Sequence, residues 1–157
     1  MLHLAQVNVA RPKAPVDMPL LAEFMAGLDP VNARADAADG FVWRLQDDSG
    51  NATSVPVFGD ASLIVNLSVW ESLEALRAFV YGDAEHRAYM RRRREWFERV
   101  DSFLCLWWIP AGHVPAVAEA EQRLEHLRSH GPAPEAFTFR EPFLPLDSAP
   151  SGRGAAW

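Results

Sequence analysis

The residues of this sequence that could do chemistry on a small molecule are a histidine, several side-chain amides and arginines. An imidazole titrates near pH 6.5 (about one unit either way in proteins), so His86 could act as a general acid or base. Asn66 and Arg44 carry N–H donors of the kind that stabilise an oxyanion. We therefore take His86, Asn66 and Arg44 as the candidate catalytic residues. The alternative for His86 is structural: a histidine at a helix start, bonded to backbone or to Asp83.

Alternation along the predicted strands directs polar side chains from separate strands to one face. Gln6 and Asn8 share a face of LHLAQVNV, Asn66 and Ser68 share a face of ASLIVNLSVW, and Arg44 lies in FVWRLQ. Large apolar residues are expected on the same face: Ile64, Leu104, Leu106 and Trp108. This mixture favours a pocket wall, although a solvated sheet face would show the same alternation.

The segment EHRAYMRRRREWFERV is predicted to be a helix that brings further groups to this pocket. His86, Tyr89, Arg93 and Trp96 fall on its apolar side, whereas Arg91 points to solvent. Arg93 has three interpretations: its head extends to water, it pairs with a carboxylate, or it holds an anionic substrate group or an enolate.

Tryptophan is abundant, with six residues in the chain. These rings either fill the core or line an aromatic cavity. The second interpretation completes the set of candidate substrate-binding residues: Gln6, Asn8, Trp43, Ser68, Trp70, Tyr89, Arg93, Trp96 and Trp108.

Other reactive residue types do not form recognisable motifs. Cys105 lies in an apolar strand and is interpreted as a small buried residue. His126 and His130 are one helical turn apart but lack an evident third ligand, so no metal site is predicted. There is no GxSxG, GxGxxG, CxxC or P-loop pattern.

Composition restricts the possible partners. The chain has 157 residues and a formal net charge of -6, which argues against a nucleic-acid-binding surface. No apolar stretch is long enough to cross a bilayer, and the first residues do not resemble a signal peptide. One cysteine cannot form an internal disulfide, which suits a reducing compartment. We expect a cytoplasmic protein with no membrane or nucleic-acid partner.

The order of predicted elements indicates an α+β fold. Strands are predicted at 2–9, 41–46, 61–70 and 102–109, with helices at 17–38 (interrupted at Asp29-Pro30), 71–81, 84–100 and 115–130. A further short strand is predicted at 136–143. This order predicts a ferredoxin-like split βαβ sheet backed by helices. We expect one domain over residues 1–143 and a disordered tail over 144–157.

Strand parity also predicts how the sheet is covered. The fully apolar rows, which include Val7 and Val65, should pack under the chain's own helices. The polar face would then be covered by a second copy of the chain, as in a dimeric α/β-barrel, and the homodimer would enclose the cavity.

Several stretches resemble a bacterial family known as domain-of-unknown-function family 3291: GFVWRLQ, IVNLSVWESLEALRAFVY, HRAYMRRRREWF, LWWIPAGHVP, and EHLRSHGP followed by FTFREPF. The resemblance covers residues 2–143 in order. It implies the dimeric α/β-barrel superfamily, which also contains antibiotic-biosynthesis monooxygenases and haem-degrading enzymes. Here Phe79 and Tyr81 occupy the region where the haem-degrading enzymes place their iron-binding histidine, and His86 comes later.

The expected function is that of a monooxygenase-like enzyme acting on a small aromatic or polyketide-like compound of secondary metabolism, without a cofactor. An oxygenase, an isomerase or a cyclase would each use proton transfer and oxyanion stabilisation. Two alternatives stay open: a non-catalytic module that binds or senses a small molecule, and a haem-dependent enzyme with His86 as ligand.

Overall fold

The computed structural model describes residues 1–53, 55–99 and 103–145. These residues form a four-stranded antiparallel sheet with strands β1 (Leu2–Ala10), β2 (Phe41–Arg44), β3 (Ile64–Trp70) and β4 (Leu104–Pro110). The spatial order is β2-β3-β1-β4, the arrangement of a split βαβ sheet. The fold is therefore α+β and ferredoxin-like, as the sequence predicted.

Strand register places the polar residues side by side at the centre of the sheet. Asn8 pairs with Asn66, and Gln6 pairs with Ser68, because β1 and β3 are antiparallel neighbours. Since side chains opposite one another on paired strands share a face, these four residues form two adjacent polar pairs on one face of the sheet. The next pair on the same face, Leu4 with Trp70, is apolar and fully buried.

The helices of the described residues are α1 (Ala22–Asp36), α2 (Leu73–Gly82), α3 (Ala84–Arg91), α4 (Arg93–Trp96) and α5 (Val117–His130), with a 3₁₀ turn at Pro19–Leu21. The predicted interruption at Pro30 does not occur. Because Pro30 lies on the exposed side of α1, the carbonyl it leaves without a partner can face water.

The predicted helix over 84–100 is wrong in length. Helical geometry is lost at Arg92, and the chain is extended at Phe97, which bridges to Pro12. Backbone groups there pair with the segment after β1: Lys13 donates to the carbonyl of Trp96 at 2.8 Å. A helix cannot continue where its backbone is bonded to another segment. The end of the predicted helix, Val100, lies outside the described residues.

The predicted strand at 136–143 is reduced to one bridge. Phe137 and Leu106 exchange two backbone hydrogen bonds at the outer edge of β4, at 2.8 and 2.9 Å. The bridge caps part of an edge that would otherwise present unpaired backbone groups. Of the predicted tail, residues 146–157 lie outside the described residues.

One face of the sheet is covered as predicted and the other is not. The apolar face, with Val7, Leu67 and Trp107, packs against one of the chain's own helices, α5, through Leu124 and Leu127. The polar face, for which a second copy was expected, lies under α1 to α4, which contact it through clusters around Phe24 and Leu76. The cavity is therefore enclosed by the chain's own helices.

This arrangement removes the physical premise on which we expected a dimer. The polar face, which we expected a second copy to cover, lies under α1 to α4, and its residues Gln6, Ser68 and Trp70 are each 6% exposed or less. A second copy is not needed to shield these residues from water. Homodimer formation stays a prediction. Among the described residues, no helix has the length and hydrophobicity that crossing a bilayer requires.

Leu124→Ala tests whether α5 covers the sheet. Because Leu124 is fully buried against the apolar face, we expect the free energy of unfolding to fall by about 2–5 kcal/mol in urea denaturation. Leu20→Ala is the matched control, since Leu20 is 49% exposed, and its loss should be about 1 kcal/mol or less. Equal losses in the two variants would mean that α5 does not pack there.

Candidate active site

A cavity lies between the polar face of the sheet and helices α1 to α4. Its volume is about 160 Å³, far more than the roughly 10–15 Å³ that a single water requires. Amides and a hydroxyl from β1 and β3 form its floor, and aromatic and aliphatic side chains from the helices form its walls. A concave, largely apolar space with a few polar groups is the form that small-molecule sites take.

The floor is organised by the side-chain amide of Gln6, which is 6% exposed. Its Nε2 donates to Ser68 Oγ at 2.8 Å and to Asn66 Oδ1 at 2.5 Å. Ser68 Oγ also accepts a hydrogen bond from the indole Nε1 of Trp70 at 2.9 Å. Both N–H donors of Gln6 are therefore used, and the buried indole N–H of Trp70 is satisfied.

The network leaves the donor end of Asn66 available to the cavity. Its carbonyl oxygen accepts from Gln6, so its Nδ2 group carries two N–H donors that make no hydrogen bond within the described part of the chain. Asn66 is exposed although Val65 and Leu67 beside it are buried, because it borders the cavity. The arrangement presents a fixed amide donor to whatever occupies the space.

His86 is held at the start of α3 by its neighbours. Asp83 caps this helix, accepting from the backbone N–H of His86 at 2.9 Å. Arg34 from α1 binds the same carboxylate, with its Nη2 2.7 Å from Asp83 Oδ2. Arg34 and then the His86 N–H lower the pKa of Asp83. Helices α1 and α3 are thereby tied together at the residue that precedes the imidazole by three positions.

The imidazole of His86 has one nitrogen bonded and one facing away from that bond. Nδ1 lies 3.1 Å from the carbonyl oxygen of Val80, so the ring donates through Nδ1. The neutral tautomer with a proton on Nδ1 has its lone pair on Nε2. Burial lowers the pKa of His86 below 6.5, opposed by the Val80 carbonyl and by Asp83. The ring is therefore neutral at pH 7 and can accept a proton.

Tyr89 closes the cavity against α1. Its hydroxyl donates to the carbonyl of Phe24 at 2.7 Å, and its ring stacks on Phe24 with centroids 5.6 Å apart. A Cβ at Gly27 would lie 2.6 Å from the Tyr89 ring, so only glycine permits this approach. Burial raises the pKa of Tyr89, which keeps its phenol protonated.

Arg93 lines the cavity beside aromatic rings. Its guanidinium carbon is 4.4 Å from the ring centre of Phe103 and 5.5 Å from that of Phe97. Burial lowers the pKa of Arg93, although a guanidinium remains charged at neutral pH. The group is a cation in an aromatic setting.

Arg44 borders the cavity, but its donors are engaged. Its Nε lies 2.7 Å from Asp36 Oδ1, Nη2 donates to Asp36 Oδ2, and Nη1 donates to the carbonyl of Gly50 at 2.5 Å. These bonds join the end of α1 to the loop after β2. Arg44 is therefore placed to position this loop. Its predicted catalytic role stays a proposal, and its charge is already paired with Asp36.

Two of the predicted cavity tryptophans lie elsewhere. Trp43 packs into the core under α5, because it points to the opposite face from its neighbour Arg44. Trp108 lies on the expected face but outside the cavity. Its ring is tilted against that of Phe137, with centroids 6.4 Å apart, and its indole N–H donates to the carbonyl of Phe143 at 2.9 Å. For these two, the interpretation as cavity residues is wrong.

The remaining sequence candidates do come together. The cavity is bordered by Gln6, Asn8, Arg44, Asn66, Ser68, Trp70, His86, Tyr89, Arg93 and Trp96. Two lining residues were not among the sequence candidates. Phe79 stacks on Trp70 with ring centroids 5.4 Å apart, and its centroid is 4.8 Å from that of His86. Asn32 is a polar residue among the apolar positions of α1, and its Nδ2 donates to Asn51 Oδ1 at 2.7 Å.

The His126–His130 pair and the single cysteine are the other candidate metal ligands and nucleophile of the sequence. Within 1–53, 55–99 and 103–145, no three or more His, Cys, Asp or Glu residues are grouped so as to hold a metal ion. His126 and His130 stack on each other at 4.6 Å. Cys105 is fully buried, and burial raises the pKa of its thiol to about 12, so it is not a nucleophile in the folded protein.

The family model described as Domain of unknown function (DUF3291) matches residues 3–152, so the chain belongs to that family. This confirms the resemblance seen in the sequence. No protein of curated function matches the chain.

Solved structures with a similar chain path are distant in sequence. Rv0793 from Mycobacterium tuberculosis is 15% identical, covering 73% of this chain and 99% of that one, with a TM-score of 0.46. SnoaB, described as a cofactor-independent oxygenase from Streptomyces nogalater, is 16% identical over 73% and 97%, with a TM-score of 0.45. PA3566 from Pseudomonas aeruginosa is 14% identical over 74% and 97%, with a TM-score of 0.48. Such similarity does not establish a shared activity.

Ser68→Ala tests the hydrogen-bond network of the floor. The change removes the acceptor of the Trp70 indole, which is 1% exposed, and one acceptor of Gln6. Because a buried donor is left without a partner, we expect unfolding free energy to fall by about 1–3 kcal/mol. Ser129→Ala on the exposed side of α5 is the control and should change it by about 0.5 kcal/mol or less. An unchanged free energy of unfolding in Ser68→Ala would show that the network adds no stability.

Proposed function

We propose that this member of the DUF3291 family is an enzyme whose cavity removes a proton from a small aromatic ketone or phenol. His86 takes the proton through Nε2. In a ketone the electron pair of the broken C–H bond is delocalised onto the carbonyl oxygen, and in a phenol the pair of the broken O–H bond stays on the oxygen. The Nδ2 donors of Asn66 stabilise that oxyanion. The observation that supports this most is the Gln6 amide, which uses both of its N–H groups and so directs the Asn66 donors into the cavity.

The oxyanion part of the proposal rests on preorganisation. A donor already fixed at the place where negative charge develops needs no reorientation during the reaction. Asn66 is fixed through Gln6, Ser68 and Trp70, which are themselves buried. A free amide on a solvated surface would not have this support. Asn8, its partner across the strands, also borders the cavity and is proposed as a second polar contact to the substrate.

The base part rests on the tautomer and environment of His86. The Val80 carbonyl holds the proton on Nδ1, and burial keeps the ring neutral. A neutral imidazole in a partly dry space is suited to accept a proton at neutral pH. The adjoining Phe79 and Trp70 rings supply a flat apolar surface for an aromatic substrate.

The resulting enolate or phenolate can react in three ways. Attack on molecular oxygen would give an oxygenase, protonation at another carbon an isomerase, and attack on an internal carbonyl a cyclase. Proton removal and oxyanion stabilisation are common to all three. Neither step needs a cofactor, which is why we propose a cofactor-independent enzyme of the monooxygenase-like type.

Two other functions would use the same cavity. A binding or sensing module would take up the ligand without turnover. A haem-dependent enzyme would use the same Nε2 of His86 as an iron ligand, because the Val80 contact leaves this nitrogen unoccupied. A Soret band that disappears in His86→Ala would identify the haem enzyme. Cytoplasmic location, a part in secondary metabolism and a homodimer remain proposals beside these functions.

Solvent deuterium exchange into 2-tetralone, a bicyclic ketone with an acidic methylene group, tests the common step. The full chain should accelerate exchange, followed by NMR in D₂O. His86→Ala and Asn66→Ala should each lower the catalysed rate by about 100-fold or more, since one removes the base and the other the oxyanion donor. His130→Ala, an exposed histidine outside the cavity, is the control and should keep the wild-type rate.

The same assay separates an enzyme from a binding module. Binding of 2-tetralone, measured by calorimetry, without any acceleration of exchange in the wild-type protein would favour the module. Acceleration that survives both His86→Ala and Asn66→Ala would contradict the assigned roles, even if the protein is an enzyme.

The pH dependence of exchange gives an independent check on His86. As a base it must be unprotonated, so the rate should fall as the pH drops through its pKa. Burial places that pKa below 6.5. We therefore expect an acid limb with a midpoint below pH 6.5 and no further rise between about pH 7 and 8. A midpoint above 6.5, or a limb retained in His86→Ala, would assign the titration to another group.

A further inference from the structure

The charged groups that border the cavity are unbalanced. No aspartate or glutamate is among the described residues that line it, whereas Arg44 and Arg93 both do. This contrasts with the chain as a whole, which carries a formal net charge of -6. In the described part of this acidic chain, both charged side chains that border the cavity are therefore cations.

Of the two guanidinium groups, one has its charge balanced. Arg44 is bound to Asp36 by two hydrogen bonds and to the Gly50 carbonyl by a third. The Arg93 guanidinium has no ion pair and donates no hydrogen bond to any residue in 1–53, 55–99 or 103–145. The described carboxylates that closely follow it in sequence are paired elsewhere: Glu95 with Arg92 at 2.6 Å, and Glu98 with Arg11 at 4.0 Å.

The contacts that Arg93 does make do not satisfy its donors. The rings of Phe97 and Phe103 attract its charge but offer no oxygen or nitrogen acceptor. A partly buried guanidinium loses solvation, and an anion with two coplanar oxygens restores it through paired N–H···O bonds. A carboxylate has this geometry.

The surroundings select the class of carboxylate. Phe24, Met90, Trp96 and Phe97 form apolar walls around the cavity. A phosphate would need further donors or cations near Arg93, and the other ionisable groups of the lining are the paired Arg44, the neutral His86 and the phenol of Tyr89. An aryl carboxylate places its charge on Arg93 and its ring against these walls.

We infer that the natural substrate is an aromatic carboxylic acid whose carboxylate is anchored by Arg93 while its reacting end lies at Asn66 and His86. This deepens the proposed function and rests on it. Strand positions separate Arg93 from His86. The carbonyl of Phe103, whose ring lies beside Arg93, accepts from Val9 near the end of β1, whereas the His86 ring reaches Trp70 through Phe79, opposite Leu4 near its beginning. Asn66, opposite Asn8, lies between these two positions.

A matched pair of ligands tests the anchor. 2-Naphthoic acid is anionic at pH 7.5, and 2-naphthamide is a neutral molecule of the same shape. By calorimetry the full chain should bind the acid about 10- to 100-fold more tightly than the amide, as expected for a hydrogen bond to a charged group. Arg93→Met should remove this preference while still binding the amide, which also shows that the variant is folded.

Two further variants sharpen the result. Arg91→Met removes an exposed arginine from the end of α3, outside the cavity, and should keep the full preference for the acid. Arg93→Lys keeps the charge but loses the planar pair of donors, so it should retain only part of the preference. Equal binding of acid and amide by the wild-type chain would overturn the inference. So would an unchanged preference in Arg93→Met, or no binding of either ligand at millimolar concentration.

Exchange into 2-tetralone separates this inference from the proposed function. The ketone has no carboxylate, so its exchange by the wild-type chain tests the enzyme without testing the anchor. Catalysed exchange together with equal binding of acid and amide would overturn the carboxylate anchor and leave the enzyme. An acid preference that depends on Arg93, without any catalysed exchange, would leave a carboxylate-binding site and remove the enzyme.

Discussion

The polar floor of the cavity depends on how one buried amide distributes its hydrogen bonds. Gln6 satisfies Ser68 and Asn66 together, and Ser68 in turn satisfies the indole of Trp70. In a poorly solvated interior each unsatisfied group would be strongly destabilising, so the network is held as a unit. The orientation of Asn66 follows from this constraint, and with it the position of the amide donors that we assign to the oxyanion.

The rest of the fold protects that network from two sides. Helix α5 seals the apolar face, so the sheet does not depend on a partner for its burial. Helices α1 and α3 enclose the other face and are joined by the Arg34–Asp83 ion pair at the start of α3. The capping that begins α3 therefore also sets the height of His86 above the floor. Asp83 and His86 therefore serve both the fold and the proposed chemistry.

Much of the candidate site followed from strand parity and helical spacing. Period-two alternation placed Gln6, Asn8, Asn66 and Ser68 on one face, and the register between β1 and β3 makes them neighbours. The same rule, applied to Trp43, points it away from Arg44, and the structure places it in the other core. The expectation for Trp108 was wrong for a different reason. Its face was predicted correctly, but the returning segment around Phe137 and Phe143 covers it.

The sequence alone determined the ferredoxin-like order of strands and helices. It also determined which polar residues share a face of the sheet, because both features depend on local periodicity. It could not decide which helices cover which face, since α5 and the helices α1 to α4 are all amphipathic and compete for two sides of one sheet. Nor could it show that Arg44 is paired with Asp36, whereas Arg93 meets the rings of Phe97 and Phe103. Those outcomes depend on residues distant in sequence, such as Asp36 and Phe103, and only tertiary packing brings them into contact.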